Sequence, residues 1–167
     1  FLNAGLLYED AVHHNCVFVG RDESGQAKFA GLRGTYDLDS PGFKGDAPGS
    51  DKSTGFSLPH DPQSDLVLVF EAPIDLMSYL TLHRDTTNAV ALCGLYDGAL
   101  QTYLQAHPEI RRIALCLDAD EPGQKAAQQL QEKCQLQGYA VTVEKPRCGK
   151  DWNEYLQRKI CSRERGR

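Results

Sequence analysis

Residues 113–117, Ile-Ala-Leu-Cys-Leu, are apolar without a break and stop at two aspartates, Asp118 and Asp120, followed by Glu121, Pro122 and Gly123. A short unbroken apolar run bounded by turn residues suits a strand buried on both faces of a parallel sheet. Pro122 suits the first turn of a helix, with Asp120 or Glu121 as its cap. Residues two apart on an extended segment point the same way, so Asp118 and Asp120 are expected side by side at the carboxyl end of a core strand. Open α/β sheets place their ligands at that edge, and paired hard oxygen donors there suit Mg2+ or Mn2+. The competing reading makes each aspartate only a helix cap.

The surrounding chain repeats this strand–helix logic. Residues 66–70, 89–93, 113–117 and 139–143 read as strands; 73–83, 98–105, 123–137 and 151–159 read as helices, the third closed by Gly138. Such alternation implies a mostly parallel, doubly wound sheet. Residues 1–64 differ. Two strands, 16–19 and 27–32, flank a hairpin turn at 22–25, and residues 35–55 are rich in Gly, Pro, Asp and Ser. The expected organisation is a small β-rich domain over 1–64 with a long Gly-rich loop, an α/β domain over 65–160, and a basic, mobile tail beginning at Arg158, of which 161–167 form no part of either domain.

The first strand of the α/β segment runs into Glu71, with Asp75 in the helical turn that follows. Both are therefore expected at the edge that carries Asp118 and Asp120. Four carboxylates there repel one another at neutral pH unless a cation sits among them. The net charge of −5 argues against coating nucleic acid by bulk attraction, but leaves room for a local basic groove. Arg33, Lys44 and Lys52 flank the Gly-rich loop, and Arg147 and Lys150 lie beside the acidic edge; these are the candidates for contacting phosphates. Arg111 and Arg112 fall at the opposite edge and read as surface charge. Trp152 and Tyr155 are expected to anchor the last helix.

Six cysteines include no closely spaced pair, which disfavours a zinc ribbon. Cys93 and Cys116, in apolar runs, read as reduced core residues, which favours a cytoplasmic protein. His13, His14, His60, His83 and His107 share no ligand spacing with cysteine and receive no chemical role. No segment has the length and apolarity of a membrane span. A chain that starts at Phe1 reads as a piece of a longer protein with flanking domains.

Glu71-x-x-x-Asp75 after one strand, Asp118-x-Asp120-x-Pro-Gly after another, and Gly149-Lys150-Asp151 near the end resemble the Toprim domain of DnaG-type bacterial primases, topoisomerases and some nucleases. The primase branch is the most similar, because a Gly-Gln-Lys-Ala-Ala helix start follows the aspartate pair. The first 64 residues resemble the small domain that precedes Toprim in mobile-element proteins, through residues 5–8, 15–20, 33–35 and 49–52. The resemblance implies a Rossmann-like Toprim fold and phosphoryl or nucleotidyl transfer with Mg2+ (or Mn2+) on single-stranded DNA or nucleotides. It implies that Glu71 is a general base or acid and a metal ligand, that Asp118 and Asp120 bind metal, and that Asp75 and Asp151 are further acidic positions. Asn153 stands where the primase branch often has a second late acid. A Toprim nuclease, or a catalytically silent nucleic-acid-binding module of a larger relaxase or primase, are the alternative readings. A topoisomerase is disfavoured, because no arrangement for a strand-cleaving tyrosine is visible.

Overall fold

The computed structural model describes residues 4–36, 42–83 and 87–164. Their strands form two sheets. In the first, β1 (Leu7–Glu9), β2 (Cys16–Arg21), β3 (Ala27–Arg33) and β4 (Lys44–Asp46) follow in order, each antiparallel to the last. The β2–β3 turn falls where the sequence predicts it. The Asp22 carboxylate accepts from the Ser24 hydroxyl at 2.6 Å and the Gln26 N–H at 2.9 Å, while Gly25 takes a φ of 79° that favours glycine.

Strand β4 corrects the reading of 35–55 as loop. Lys-Gly-Asp has little strand propensity; long-range hydrogen bonds hold it instead. Gly34 N–H donates to Phe43 O at 2.7 Å, and Ala47 N–H to Ala30 O at 2.8 Å. The Ser50 hydroxyl accepts from Ala30 N–H at 3.1 Å. Residues 37–41 of the expected loop lie outside the described residues.

The second sheet contains β5 (Phe56–Ser57), β6 (Leu66–Phe70), β7 (Asn88–Ala91), β8 (Arg112–Leu115) and β9 (Ala140–Val143), in the spatial order β5-β7-β6-β8-β9. The last four in that order are mutually parallel, and β5 is an antiparallel edge. Strand pairing therefore crosses residue 64: β5 precedes it in sequence but hydrogen-bonds into the second sheet. Helices α1 (Pro73–His83), α2 (Gly98–Ala106), α3 (Glu121–Leu136) and α4 (Trp152–Glu164) cover that sheet.

Alternation along β6 explains the two-sided core. Val67 and Val69 join Leu100, Leu104, Leu130 and Cys134 from α2 and α3. Leu68 and Phe70 join Leu76, Tyr79 and Trp152 from α1 and α4. Burying an aromatic such as Phe70 contributes about 1.5–3 kcal/mol. The first sheet docks on this second cluster through Leu6 and Phe18, the latter edge-to-face with Phe56 at 5.7 Å between centroids. At the crossing, the backbones are so close that a Cβ on Gly20 would sit 1.6 Å from Gly55 O.

Element ends differ from the sequence reading by a few residues. Strand β7 ends at Ala91 rather than 93, because Cys93 takes φ 59° and Gly94 φ 137°, turning the chain away. Strand β8 ends at Leu115, although Cys116 and Leu117 stay buried beyond it. Apolar character reports burial, which outlasts the ladder. Helix α3 starts at Glu121, two residues early, and Gly138 ends it at φ 93° as expected. The expected tail from Arg158 is helical through Glu164, and 165–167 lie outside the described residues. Among the described residues, no helix is long and apolar enough to cross a membrane.

Candidate functional site

Strands β6 and β8 are parallel neighbours, so Glu71 and Asp118, which follow them, stand at the same sheet edge. Asp118 is held there by close packing. A Cβ on Gly123 would meet Asp118 O at 2.4 Å, so only glycine lets α3 start this near the strand end. Gln124 Nε2 then donates to Asp118 O at 2.8 Å. Ala119 N–H donates to Lys150 O at 2.6 Å, and Trp152 Nε1 to Cys116 O at 2.9 Å. These bonds draw the segment before α4 onto the same edge.

The electrostatics there are unbalanced. Asp118 Oδ1 is buried and has no hydrogen-bond partner. Burial, then the charges of Glu71, Asp75, Asp151 and Asp120, push the Asp118 carboxyl from 3.8 to about 7. Burial likewise lifts Asp75 to about 6, against the Asn153 N–H, which donates to its Oδ1 at 3.0 Å. Glu71 is raised by burial and by Asp120 and Asp151, and lowered by the ammonium groups of Lys44 and Lys150.

Facing this edge is the first sheet. Arg33 and Lys44 are direct cross-strand partners between β3 and β4. Both line a cleft whose opposite wall includes Glu71, Asp75, Asp118 and Lys150. The register of β4 thus sets two cations against a cluster of carboxylates. Sequence reading named both cations but missed the strand that aims them. It read Cys93 as a core residue, whereas its side chain is half-buried and lines the cleft, and burial pushes its thiol to about 12. The positive φ of Cys93 follows from the turn after β7, which its apolar neighbours give no hint of.

Of the other predicted residues, Asp151 lines the same cleft. The Asp120 side chain is exposed and caps α3, accepting from Gly123 N–H at 2.9 Å. Asp151 Oδ1 accepts from Glu154 N–H at 2.7 Å at the start of α4. Lys52 lies outside the cleft lining and pairs with Asp46 at 2.9 Å. Arg147 lines a separate recess with His83, Trp152 and Tyr155. Among the described residues, one trio of potential metal ligands brings an atom each to within 4.8 Å of one another, and it lies away from this edge: His60, His107 and Glu109.

A parallel sheet with carboxylates at the ends of adjacent strands, roofed by a basic β-sheet, defines a Rossmann-like α/β domain of the kind suited to phosphate chemistry. The chain belongs to the Toprim-like family, whose model matches residues 68–156. Residues 1–64 match the family described as protein of unknown function DUF3991. No curated protein matches the chain. Among solved structures it resembles a DNA primase domain from Pseudomonas aeruginosa (23% identity, TM-score 0.62, covering 98% of this chain and 56% of that one). It also resembles the primase fragment of the bacteriophage T7 primase-helicase protein (18%, 0.62, 96% and 66%). A DnaG primase catalytic domain bound to ssDNA is similar too (17%, 0.64, 99% and 56%). The chain therefore spans between about half and two thirds of these structures, and at such identities the likeness is one of fold.

Proposed function

We propose that this chain is the Mg2+-dependent core of a primase-like nucleic-acid-processing protein, carrying out phosphoryl or nucleotidyl transfer within a longer mobile-element protein. The observation that carries this reading is Asp118 Oδ1, a buried carboxylate oxygen without a partner, beside Glu71 at the ends of neighbouring strands. A buried unpaired anion is costly, and a hard divalent cation is the ligand that relieves it. The donor chemistry fits, since Mg2+ and Mn2+ take hard carboxylate oxygens: Glu71 and Asp118 would hold the ion, joined by the free oxygen of Asp120 as the three close on it. Asp75 and Asp151, each bonded to a backbone N–H of α4, would orient the edge. A bound Mg2+ supplies charge neutralisation at phosphate oxygens.

The chain's own residues supply the rest. Arg33, Lys44 and Lys150 bind phosphates of single-stranded DNA or of a nucleotide across the cleft. Glu71, its carboxyl held above the usual carboxylate value by burial, holds or takes a proton at its carboxylate. Calorimetry with Mg2+ or Mn2+ tests this reading. Asp118→Asn combined with Asp120→Asn should abolish binding, and undiminished binding would place the metal elsewhere.

A catalytically silent binding module has one observation in its favour: Asp75, Asp120 and Asp151 each commit an oxygen to a backbone N–H. It predicts oligonucleotide binding that is indifferent to EDTA.

A further inference from the structure

At the amino-terminal edge of the parallel sheet, opposite Asp118, two segments meet. His60 lies between β5 and β6, its neighbour Asp61 tied to β7 by Asn88, whose Oδ1 accepts from Asp61 N–H at 2.7 Å. His107 caps the carboxyl end of α2, its N–H donating to Tyr103 O at 3.0 Å. Glu109 follows in the turn before β8, anchored by the fully buried Ile110. The two imidazoles stack at 3.8 Å between centroids, 13° from parallel. His60 Nε2 contacts Glu109 Oε1, and His107 Nδ1 stands 3.8 Å from the same oxygen. His60 and His107 are partly buried and Glu109 is exposed, and their three ligand atoms lie within 4.8 Å of one another.

We propose that His60, His107 and Glu109 form a binding site for a borderline-soft divalent cation, Zn2+ above all, that clips the β5–β6 connection to the α2–β8 turn. Two imidazole nitrogens and one carboxylate oxygen match Zn2+ and not Mg2+, which favours oxygen alone. The surroundings fit a ligand set. His60 Nδ1 lies 3.2 Å from the Tyr103 hydroxyl. A ring whose Nδ1–H is held there presents the Nε2 lone pair, in the manner of outer partners that orient metal-bound histidines. An ion cannot lie in the planes of two stacked rings, so one must tilt. His60 is fixed by Tyr103, which leaves His107 to turn until both nitrogens come to about 2 Å from the ion. A fourth position would go to water.

The full chain, stripped of metal by chelator and exchanged into buffer, would be titrated with Zn2+ by calorimetry and with Co2+ by visible absorption. Thermal unfolding would be followed in parallel. One Zn2+ per chain, a raised Tm, and a Co2+ spectrum without a thiolate charge-transfer band are expected, with Mg2+ unable to compete. His60→Ala and Glu109→Gln should each weaken Zn2+ binding by roughly tenfold or more, and Asp118→Asn should leave it unchanged. His107→Gln covers the case in which His60→Ala fails to fold, since it leaves the His60–Tyr103 and His60–Glu109 contacts in place; it should lose Zn2+ binding to the same extent. Absence of Zn2+ binding by the parent, undiminished binding by His107→Gln, a thiolate band from the cysteines, or loss of binding in Asp118→Asn would each overturn the assignment. The last two outcomes would locate the ion at cysteine or at the acidic edge.

Discussion

Replacing Asp118 by Asn removes one charge from the place where it is least accommodated while keeping the shape of the side chain. In the folded chain its carboxyl is raised from 3.8 to about 7, first by burial and then by Glu71, Asp75, Asp151 and Asp120. Below the unfolded value the group is protonated in both states and costs nothing. As pH climbs from about 4 to about 7 only the unfolded chain ionises, so stability falls through that window and the full cost remains above it. Three units at about 1.4 kcal/mol each set a ceiling of roughly 4 kcal/mol. The side chain is only partly buried, and solvent screening brings the expectation to about 2 kcal/mol. In EDTA near pH 8, Asp118→Asn should therefore melt about 4–8 °C above the parent. Near pH 4 the two should melt together. Added Mg2+ should raise the parent and leave the variant where it was. Circular dichroism melts at both pH values, with and without Mg2+, measure all of this. A variant that melts lower at pH 8, or gains equally at both pH values, would refute the claim that ionised Asp118 strains the metal-free fold.

Further outcomes follow from the geometry. Trp152→Phe leaves Cys116 O without its Nε1 donor and should lower stability by about 1–3 kcal/mol in urea titrations. Gly20→Ala drives a Cβ into Gly55 O between two backbones that cannot both move, and should cost about 3 kcal/mol or more in the same assay. Asn88→Ala removes the acceptor of Asp61 N–H and the donor to Asp61 O and Ser64 O at a fully buried position; a loss of about 2 kcal/mol or more is expected, read by thermal unfolding. Arg33→Ala with Lys44→Ala should weaken binding of a labelled single-stranded oligonucleotide and flatten its salt dependence by about 1.4 in log–log slope. Lys52→Ala, whose ammonium already pairs with Asp46, should change anisotropy titrations little.

The alternation of apolar runs and amphipathic stretches made the parallel sheet legible from sequence, because buried parallel strands must be apolar on both faces. The run ending at Asp118 and the strand ending at Glu71 needed no structure to be assigned to one sheet edge. What sequence could not tell was how each carboxylate there is used. Asp120 was a cap candidate by its place before Pro122, and one of its oxygens does answer a helix N–H, but nothing in the spacing marked Asp118 Oδ1 as buried and unpartnered. That difference arises from the turn Gly123 permits, a matter of backbone approach over a few ångströms. The β4 strand was equally hidden: Lys-Gly-Asp has no strand character of its own, and only pairing with β3 places Lys44 beside Arg33 against the acids. His60 and His107 stand 47 positions apart, with no spacing to mark them, and meet because β5 enters the sheet beside β7 while α2 returns to the same end. Local physics decided which segments are strands and helices. Long-range pairing, which no window of the sequence contains, decided which side chains face one another.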